Sequence, residues 1–352
     1  MIVSQILHPK NNNITLIRLV LASMVIMHHT YAINPVSPHV DLTQWIAPSD
    51  SSGSFAVKVF FFLSGLLVVN SLMHRQNTVH YWSHRVFRIF PGLLFVLLVS
   101  AFVIGPLFTD YDLHRYFSDK ETYKYVFKNL LLNTRYSLPG TFLHNPMANA
   151  VNGSLWSLAW EFKCYIITYL VYLLSFKKYF RWIGTICFLL IAVQIACWNN
   201  LLCYDLHWDP YYPFYYFLGG IVALHADYIS LTMKSLLVVF CLAVIGYFLG
   251  NPYNTILIMS FYSFFLLWVA TTPLLLKFKL THDVSYGVYL WGFVVQQSLH
   301  TVFPNWGSYL HLFVALVISI LMGAISWFLI EKPSMSFAKK ISNFTLSKAL
   351  SF

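Results

Sequence analysis

The sequence predicts an all-α polytopic membrane protein with about ten transmembrane helices and both termini in the cytoplasm. Of its 352 residues, 58% are apolar and only 10% are charged, whereas soluble domains hold about a quarter charged residues. Apolar runs of about 20 residues recur along the chain. Aromatic residues gather near the ends of these runs, as they do at the two interfaces of a membrane. Disordered, coiled-coil, collagen-like and disulfide-scaffold classes are excluded by this composition.

The ten predicted spans follow from the length of the apolar runs. A helix of about 20 apolar residues crosses the hydrocarbon core of a bilayer. The runs that meet this criterion lie at residues 14–33, 54–73, 86–106, 154–174, 180–198, 211–226, 235–250, 255–271, 284–303 and 309–330. An even number of spans places the two termini on the same side of the membrane.

The charge of the connecting segments predicts which side that is. The terminal segments and every second connection are rich in basic residues, and the net charge of the chain is +10. The basic residues of this set are Lys10, Arg75, Arg85, Arg88, Lys177, Lys178, Arg181, Lys234, Lys277, Lys279, Lys332, Lys339, Lys340 and Lys348. The positive-inside rule places this set in the cytoplasm. The positive charge is therefore explained by topology and gives no reason to expect a nucleic-acid partner.

We expect one membrane domain over residues 1–335, with an extracytoplasmic loop at 107–153 and a short cytoplasmic tail at 336–352. Loops this long are commonly functional. No internal repeat is visible in the sequence, which argues against an inverted-repeat transporter. The five cysteines show no CxxC or CxxH spacing, so no metal site is predicted.

Arg18 and His29 form the sharpest pair of ionisable residues inside a predicted span. Ionisable groups in a span are functional candidates because their burial is costly. Eleven residues of helix bring the two side chains within about 20° of the same direction, about 16 Å apart along the axis. His28 points elsewhere. The spacing alone leaves open a second interpretation, in which the imidazole is satisfied by a carbonyl of a neighbouring helix.

Ser64 and Gly65 lie inside the second predicted span, where small residues favour close helix packing. That packing is the plainer interpretation of the pair. Lys58, Lys163 and Asp283 lie near the ends of spans, and we expect these three side chains to reach the membrane interface by snorkelling.

Arg85 and Arg88 lie three positions apart, at i and i+3, at the cytoplasmic end of the third predicted span. Two guanidinium groups on one helical face suit phosphate recognition, because each presents a planar fork of donors. The alternative is ordinary anchoring by positive charge, which needs no ligand.

Glu161 lies about two turns into the fourth predicted span, and Tyr165 lies one turn further on the same face. Asn152 or Ser154 is expected to cap this helix. Glu161 and His29 lie at similar predicted depths near the outer side. If their helices are neighbours, the carboxylate would orient the imidazole for general-base chemistry.

Six segments, taken in order, resemble the acyltransferase 3 family of integral membrane O-acyltransferases. They are Arg18 with ten residues before His29; Phe60-Phe61-Phe62-Leu63-Ser64-Gly65; Arg85-x-x-Arg88-Ile89-x-Pro91; Trp156-Ser157-Leu158-x-x-Glu161-x-x-x-Tyr165; Ser285-Tyr286-Gly287-Val288-Tyr289-Leu290-Trp291; and Glu331-Lys332-Pro333. Each segment is weak alone, but six in the family's order on a ten-span scaffold are specific.

The resemblance implies transfer of an acyl group, most often acetyl from cytoplasmic acetyl-CoA, to a hydroxyl of a cell-surface polysaccharide or a lipid-linked glycan precursor. It implies a multi-pass protein of the bacterial cytoplasmic (inner) membrane, with no metal. The implied catalytic residues are His29, Glu161 and Arg18; the implied donor-binding residues are Arg85, Arg88 and Ser64; and the implied acceptor-binding residues are Trp156, Tyr165, Tyr286 and Tyr289.

One departure from the family pattern lies in the fifth segment. Many members carry a histidine directly after Tyr-Leu-Trp, and this chain has Gly292 there. Two functions of other classes stay open: a transporter or flippase of a glycan precursor, and a scaffold subunit of a polysaccharide assembly complex. The absence of repeats and the presence of the Arg85-x-x-Arg88 and Trp156-x-x-x-x-Glu161 motifs argue against the transporter, and a scaffold subunit would not need Arg18 and His29 on one helical face.

Overall fold

The computed structural model describes residues 1–36, 41, 50–202, 212–250 and 253–349. The chain is 78% helix, and its described ranges contain no strand, which confirms the all-α prediction. Residue 211 of the sixth predicted span and residues 350–352 of the predicted tail lie outside the described residues.

A helix overlaps each of the ten predicted spans. We label these helices α1 (Ile14–Ile33), α2 (Ser52–Arg75), α3 (Thr78–Val99), α4 (Trp156–Leu174), α5 (Phe180–Leu202), α6 (Tyr212–Leu224), α7 (Met233–Leu249), α8 (Tyr253–Val269), α9 (Ser285–Val302) and α10 (Ser308–Ser326). Short helices occur at Val3–Ile6, Gly105–Phe108, Leu113–Ser118, Lys120–Leu130 and Pro273–Lys277, and a further helix of 18 residues spans Lys332–Ala349.

Within the described residues, five helical stretches are long and apolar enough to cross a membrane. They are Ile14–Ile33, Ser52–Arg75, Thr78–Phe108, Gly153–Leu174 and Ser308–Phe344. Four further apolar helices in the described ranges are 10–17 residues long. This pattern is that of a multi-pass membrane protein, while ten crossings and the side of the termini stay predictions.

The chain divides into two compact units. The first comprises Met1–Leu21, Asp41–Gln76 and Trp160–His282, and the second comprises Ala22–Val40, Asn77–Ala159 and Asp283–Phe352. Helices α1 and α4 each contribute residues to both units. The single domain over 1–335 and the tail at 336–352 stay predictions.

In the first unit, α2 and α6 pack with their backbones in close contact. A Cβ atom on Gly65 would lie 1.8 Å from the carbonyl oxygen of Tyr216, and one on Gly219 would lie 2.1 Å from that of Phe62. Only glycine fits at these two crossing points. The packing predicted from Ser64 and Gly65 is therefore confirmed.

Lys58 does not snorkel, contrary to the prediction. Its side chain is only 1% exposed, and its Nζ lies 2.8 Å from Oδ2 of Asp50, which is 2% exposed. The ring of Tyr212 lies 6.0 Å from the same ammonium group. Asp50 stands just before the first turn of α2, so the helix brings this carboxylate within reach of a lysine two turns later.

In the second unit, α3 and α10 both continue beyond their regular α-helical parts. A π-helical turn at Ser100–Ile104, which is a wide turn with i→i+5 hydrogen bonds, joins α3 to Gly105–Phe108. A second wide turn of this kind at Trp327–Glu331 joins α10 to Lys332–Ala349. The Tyr116 hydroxyl donates a hydrogen bond of 2.8 Å to the carbonyl of Ala101, inside the first wide turn. The part of segment 107–153 around Tyr116 thus packs against the continuation of α3, and the extracytoplasmic side of the segment stays a prediction.

Candidate active site

Arg18 and His29 lie on one uninterrupted helix, α1. Their eleven-residue separation therefore gives the shared face and the axial distance of about 16 Å that the sequence predicts. In the first unit, the Arg18 guanidinium carbon lies 5.9 Å from the centre of the Phe60 ring.

His29 belongs to the part of α1 that lies in the second unit. Its imidazole packs against the Phe293 ring in an edge-to-face arrangement, with a centroid distance of 5.0 Å and an interplanar angle of 78°. Its Nδ1 atom is buried and has no hydrogen-bond partner in the described part of the chain. Buried polar atoms in native proteins nearly always have a partner, and exceptions gather at functional sites. At Nδ1, the interpretation as a histidine satisfied by a neighbouring carbonyl is not supported.

Glu161 is held by two hydroxyl groups within the first unit. Its Oε1 accepts hydrogen bonds of 2.7 Å from Ser64 Oγ and 2.6 Å from Tyr165 Oη. The two hydroxyl oxygens lie 3.2 Å apart. Ser64 and Tyr165, expected from family resemblance at the donor and acceptor sites, thus meet at one carboxylate oxygen. Orientation of His29 by Glu161 stays a prediction.

Arg88 bridges two carboxylates in the second unit. Its Nη2 lies 2.8 Å from Asp283 Oδ2, and its Nη1 lies 3.4 Å from Glu331 Oε2. The rings of Tyr286 and Trp327 lie 5.5 and 5.7 Å from its guanidinium carbon. Asp283 is thus engaged in an ion pair and does not simply snorkel, which corrects the prediction for this residue.

Glu331 completes this network from a buried position. Its side chain has no exposed surface, and its Oε1 accepts a hydrogen bond of 2.9 Å from Ser326. The sequence places Glu331 in the motif Glu331-Lys332-Pro333 but does not indicate its role. A carboxylate directly after an apolar run was the available signal, because such a group needs a cation when it is buried.

Arg85 and Arg88 both lie inside α3, which begins at Thr78, earlier than the predicted span. Asn77 caps that start, and its side chain accepts a hydrogen bond from the His80 amide. The guanidinium carbon of Arg85 lies 6.0 Å from the Tyr81 ring. The two arginines are therefore fixed on a formed helix, and their part in donor binding stays a prediction.

The aromatic residues expected at the acceptor site join helices in the second unit. The Tyr286 hydroxyl donates to the carbonyl of Ile89 over 2.8 Å. The Tyr289 hydroxyl donates to the carbonyl of Ser154 over 2.8 Å, and the Ser157 hydroxyl lies at the same distance from it. Trp156 is half-buried at the start of α4. Their part in acceptor binding stays a prediction.

Asn152, one of the two expected capping residues, caps a short 3₁₀ turn at Gly153–Leu155 that leads into α4. The Asn152 side chain accepts a hydrogen bond of 3.1 Å from the Ser154 amide and donates one of 2.9 Å to the carbonyl of Leu290.

Gly292, which stands where many family members have histidine, faces α1: a Cβ there would lie 2.6 Å from Ile26 Cγ1. In this chain the Ile26 side chain fills the space that a side chain at position 292 would need.

No group of three or more histidine, cysteine, aspartate or glutamate residues within the described ranges is placed to hold a metal ion. The residues that the family resemblance implies for the site include an imidazole, a carboxylate that accepts hydrogen bonds from two hydroxyl groups, and two arginines. This set suits base-assisted acyl transfer.

Comparison with known proteins agrees with the motif resemblance. The acyltransferase 3 family model, described as an acyltransferase domain, matches residues 11–331. A protein of Shigella phage Sf6 named "O-acetyl transferase" is 26% identical over 340 residues, which cover 92% of this chain and 96% of the phage protein. No solved structure matches the chain. Because the family match spans most of its length, this protein belongs to the acyltransferase 3 family.

Proposed function

We propose that this protein is a membrane O-acetyltransferase that moves acetyl from cytoplasmic acetyl-CoA to a hydroxyl of a cell-surface polysaccharide or lipid-linked glycan precursor. Its setting is the bacterial cytoplasmic membrane. The observation that carries the proposal is the buried His29 imidazole, whose Nδ1 has no partner in the described part of a chain of this family. The name of the phage relative supports acetyl as the transferred group.

His29 acts as the base. Its imidazole takes the proton of the acceptor hydroxyl, and the hydroxyl oxygen attacks the thioester carbonyl. The carbon–sulfur bond breaks, and the leaving thiolate takes the proton back from the imidazolium, which yields the acetyl ester and CoA. In the alternative sequence, the imidazole attacks the thioester first and forms an acyl-imidazole that the hydroxyl then cleaves.

Glu161 acts as an oriented carboxylate. Ser64 and Tyr165 hold its Oε1 through two short hydrogen bonds. Two hydrogen bonds to one oxygen hold the carboxylate in one orientation. The family resemblance implies a catalytic role for this carboxylate, and its fixed orientation supports that role.

Arg85 and Arg88 have different roles in the proposed function. Arg88 is already balanced by two carboxylates, so its main task is to hold α3 against the start of α9 and the end of α10. Arg85 contacts the donor phosphates from the same helical face. His29 lies fifteen residues from the start of α1, about 22 Å along the helix, and an extended pantetheine arm reaches a distance of that order.

Mass spectrometry of surface glycans tests the proposal. Cells that carry the gene are compared with deletion cells and with deletion cells expressing His29→Ala or, as the matched control, His28→Ala. We expect glycans that are heavier by one acetyl group only in cells that express the wild type or His28→Ala. Acetylated glycans with His29→Ala would refute the catalytic assignment, and loss of the glycan itself from the deletion strain would favour a flippase.

A further inference from the structure

A ladder of contacts joins α9 to α1 within the second unit. Gly292, Gln296 and His300 follow one another at intervals of four residues, so they share one face of α9. Gly292 lies against Ile26. One turn later, Gln296 Nε2 donates to the carbonyl of Ile26 over 2.9 Å and to the Thr30 hydroxyl over 2.6 Å.

The ladder continues beyond Gln296. His300 Nδ1 lies 3.2 Å from Oδ1 of Asn34, and the Asn34 amide in turn donates to the carbonyl of Trp306 over 2.9 Å. Three successive turns of α9 are thus matched to the last turns of α1. The match fixes both the rotation and the axial position of this part of α1.

The orientation of the Gln296 amide is dictated by its partners. A backbone carbonyl only accepts hydrogen bonds, so the group facing Ile26 must be the amide nitrogen. The Thr30 hydroxyl donates its proton to the carbonyl of Ile26 over 3.0 Å, which leaves it to accept from the same nitrogen. Gln296 is fully buried, and its Oε1 has no partner in the described part of the chain.

His29 lies inside the turn that Gln296 holds, between Ile26 and Thr30. Phe293, one turn before Gln296 on α9, packs edge to face with the His29 ring. Phe293 therefore restricts the position of the imidazole ring, and Gln296 restricts the backbone turn that carries it.

We propose that Gln296 is a positioning residue that sets the placement of His29 for acyl transfer. Gln296 touches neither substrate in this account and acts only through the Ile26–Thr30 turn. The proposal rests on the proposed catalytic role of His29. A displacement of about 1 Å at a reacting group lowers rates by roughly 100-fold, so loss of this amide should lower kcat by roughly 10- to 100-fold and leave the KM for acetyl-CoA unchanged.

Two variants of Gln296 separate donation from packing. Gln296→Met keeps the length of the side chain but removes the donor. Gln296→Glu donates to the Ile26 carbonyl only when its carboxyl is protonated, and its ionised form repels that carbonyl. We therefore expect the rate of Gln296→Glu, relative to the wild type, to rise as the pH falls, whereas the relative rate of Gln296→Met stays low throughout.

Gln297 provides the matched control on the same helix. It is equally buried, but its Nε2 donates to the carbonyls of Met147 and Ala150 over 2.8 and 2.6 Å, so this amide holds the loop at 107–153. Gln297→Met removes a comparable buried amide. The rate of this variant divided by the wild-type rate should stay constant as the pH changes.

The wild-type profile corrects for the other titratable groups that face this region. These are His28 and His29 on α1, His300 on α9, and His311 on α10, whose Nε2 lies 3.2 Å from the Gln296 carbonyl. All four are present in every variant, so they cancel in the ratio of rates.

The assay measures the transfer of labelled acetyl from acetyl-CoA in membrane vesicles that contain the native acceptors. A second readout is independent of activity: the rate at which diethyl pyrocarbonate modifies His29, followed by peptide mass spectrometry. We expect this rate to rise severalfold in Gln296→Met and to match the wild type in Gln297→Met.

The outcomes keep the two proposals apart. Wild-type kcat in Gln296→Met, or a Gln296→Glu rate that follows Gln296→Met at every pH, would overturn the positioning role. Full activity in His29→Ala would instead refute the proposed function, while the modification rate of His29 would still test whether Gln296 holds its turn.

Discussion

Replacement of Arg88 by alanine removes the cation that lies between Asp283 and Glu331. The two carboxylates are 2.8 and 3.4 Å from its guanidinium nitrogens. Glu331 is completely buried, whereas the Asp283 side chain is 22% exposed. The substitution therefore leaves two neighbouring carboxylates without this cation, one of them with no access to water.

The size of the effect follows from that difference in burial. Removal of one partner of a buried ion pair costs about 3–5 kcal/mol, because the remaining charge has lost its compensation. Exposed ion pairs contribute about 0–1 kcal/mol. The Glu331 contact should dominate, and we expect the free energy of unfolding to fall by about 3–5 kcal/mol in Arg88→Ala.

Arg181 supplies a matched control in the first unit. Its Nη2 lies 3.4 Å from Asp227 Oδ2, but the two side chains are 28% and 59% exposed. Arg181→Ala should therefore cost less than about 1 kcal/mol. In the double variant Arg88→Ala/Glu331→Gln the buried charge is removed as well, so much of the lost stability should return.

Unfolding in detergent, followed by tryptophan fluorescence, measures these differences. The expected order of stability is wild type, Arg181→Ala, the double variant and then Arg88→Ala. Equal losses in Arg88→Ala and Arg181→Ala would refute the reasoning. A double variant less stable than Arg88→Ala would do the same, since it would mean that Glu331 is not the source of the cost.

Three further predictions concern packing, the carboxylate and the loop. Gly65→Ala places a methyl group against the backbone of α6 and should cost about 1–3 kcal/mol in the same unfolding assay; unchanged stability would contradict the close helix contact. Tyr165→Phe removes one donor from Glu161, an interaction worth about 1.5–3 kcal/mol, and should lower the rate of acetyl transfer by roughly tenfold or more; a wild-type rate would argue against an oriented carboxylate. Burial raises the pKa of Tyr116 above its ordinary value, so the folded chain keeps this proton when the unfolded chain loses it near pH 10. The contribution of Tyr116 to stability is therefore complete below about pH 10 and declines above it, and Tyr116→Phe should lose less stability than the wild type between neutral and strongly alkaline pH; identical alkaline losses would contradict this.

Periodicity and run length predict much of the fold and part of the site. The length of the apolar runs located a helix at every predicted span, because a membrane segment must satisfy its backbone hydrogen bonds internally. The shared face of Arg18 and His29 needed only the geometry of one helix. Gly65 was assigned correctly to close packing because small residues are what such contacts require.

Contacts between distant segments were not predictable in the same way. Ser64 and Glu161 are 97 residues apart, and Arg88 is 243 residues from Glu331. Local patterns do not reveal which helices are neighbours, so the sequence left Arg88 between phosphate recognition and anchoring by positive charge and did not predict its two carboxylate partners. Lys58 was expected at the interface for the same reason, since position near a span end does not disclose a buried carboxylate such as Asp50.

The most direct test of the account uses membrane vesicles of known orientation from cells that make the acceptor glycan. Acetyl-CoA labelled in its acetyl group is supplied on either the cytoplasmic or the outer side, to vesicles with the wild type or His29→Ala. The account predicts labelled glycan only for the wild type, and only when the donor is on the cytoplasmic side. Labelled glycan in the His29→Ala vesicles, or equal labelling from the outer side, would contradict it.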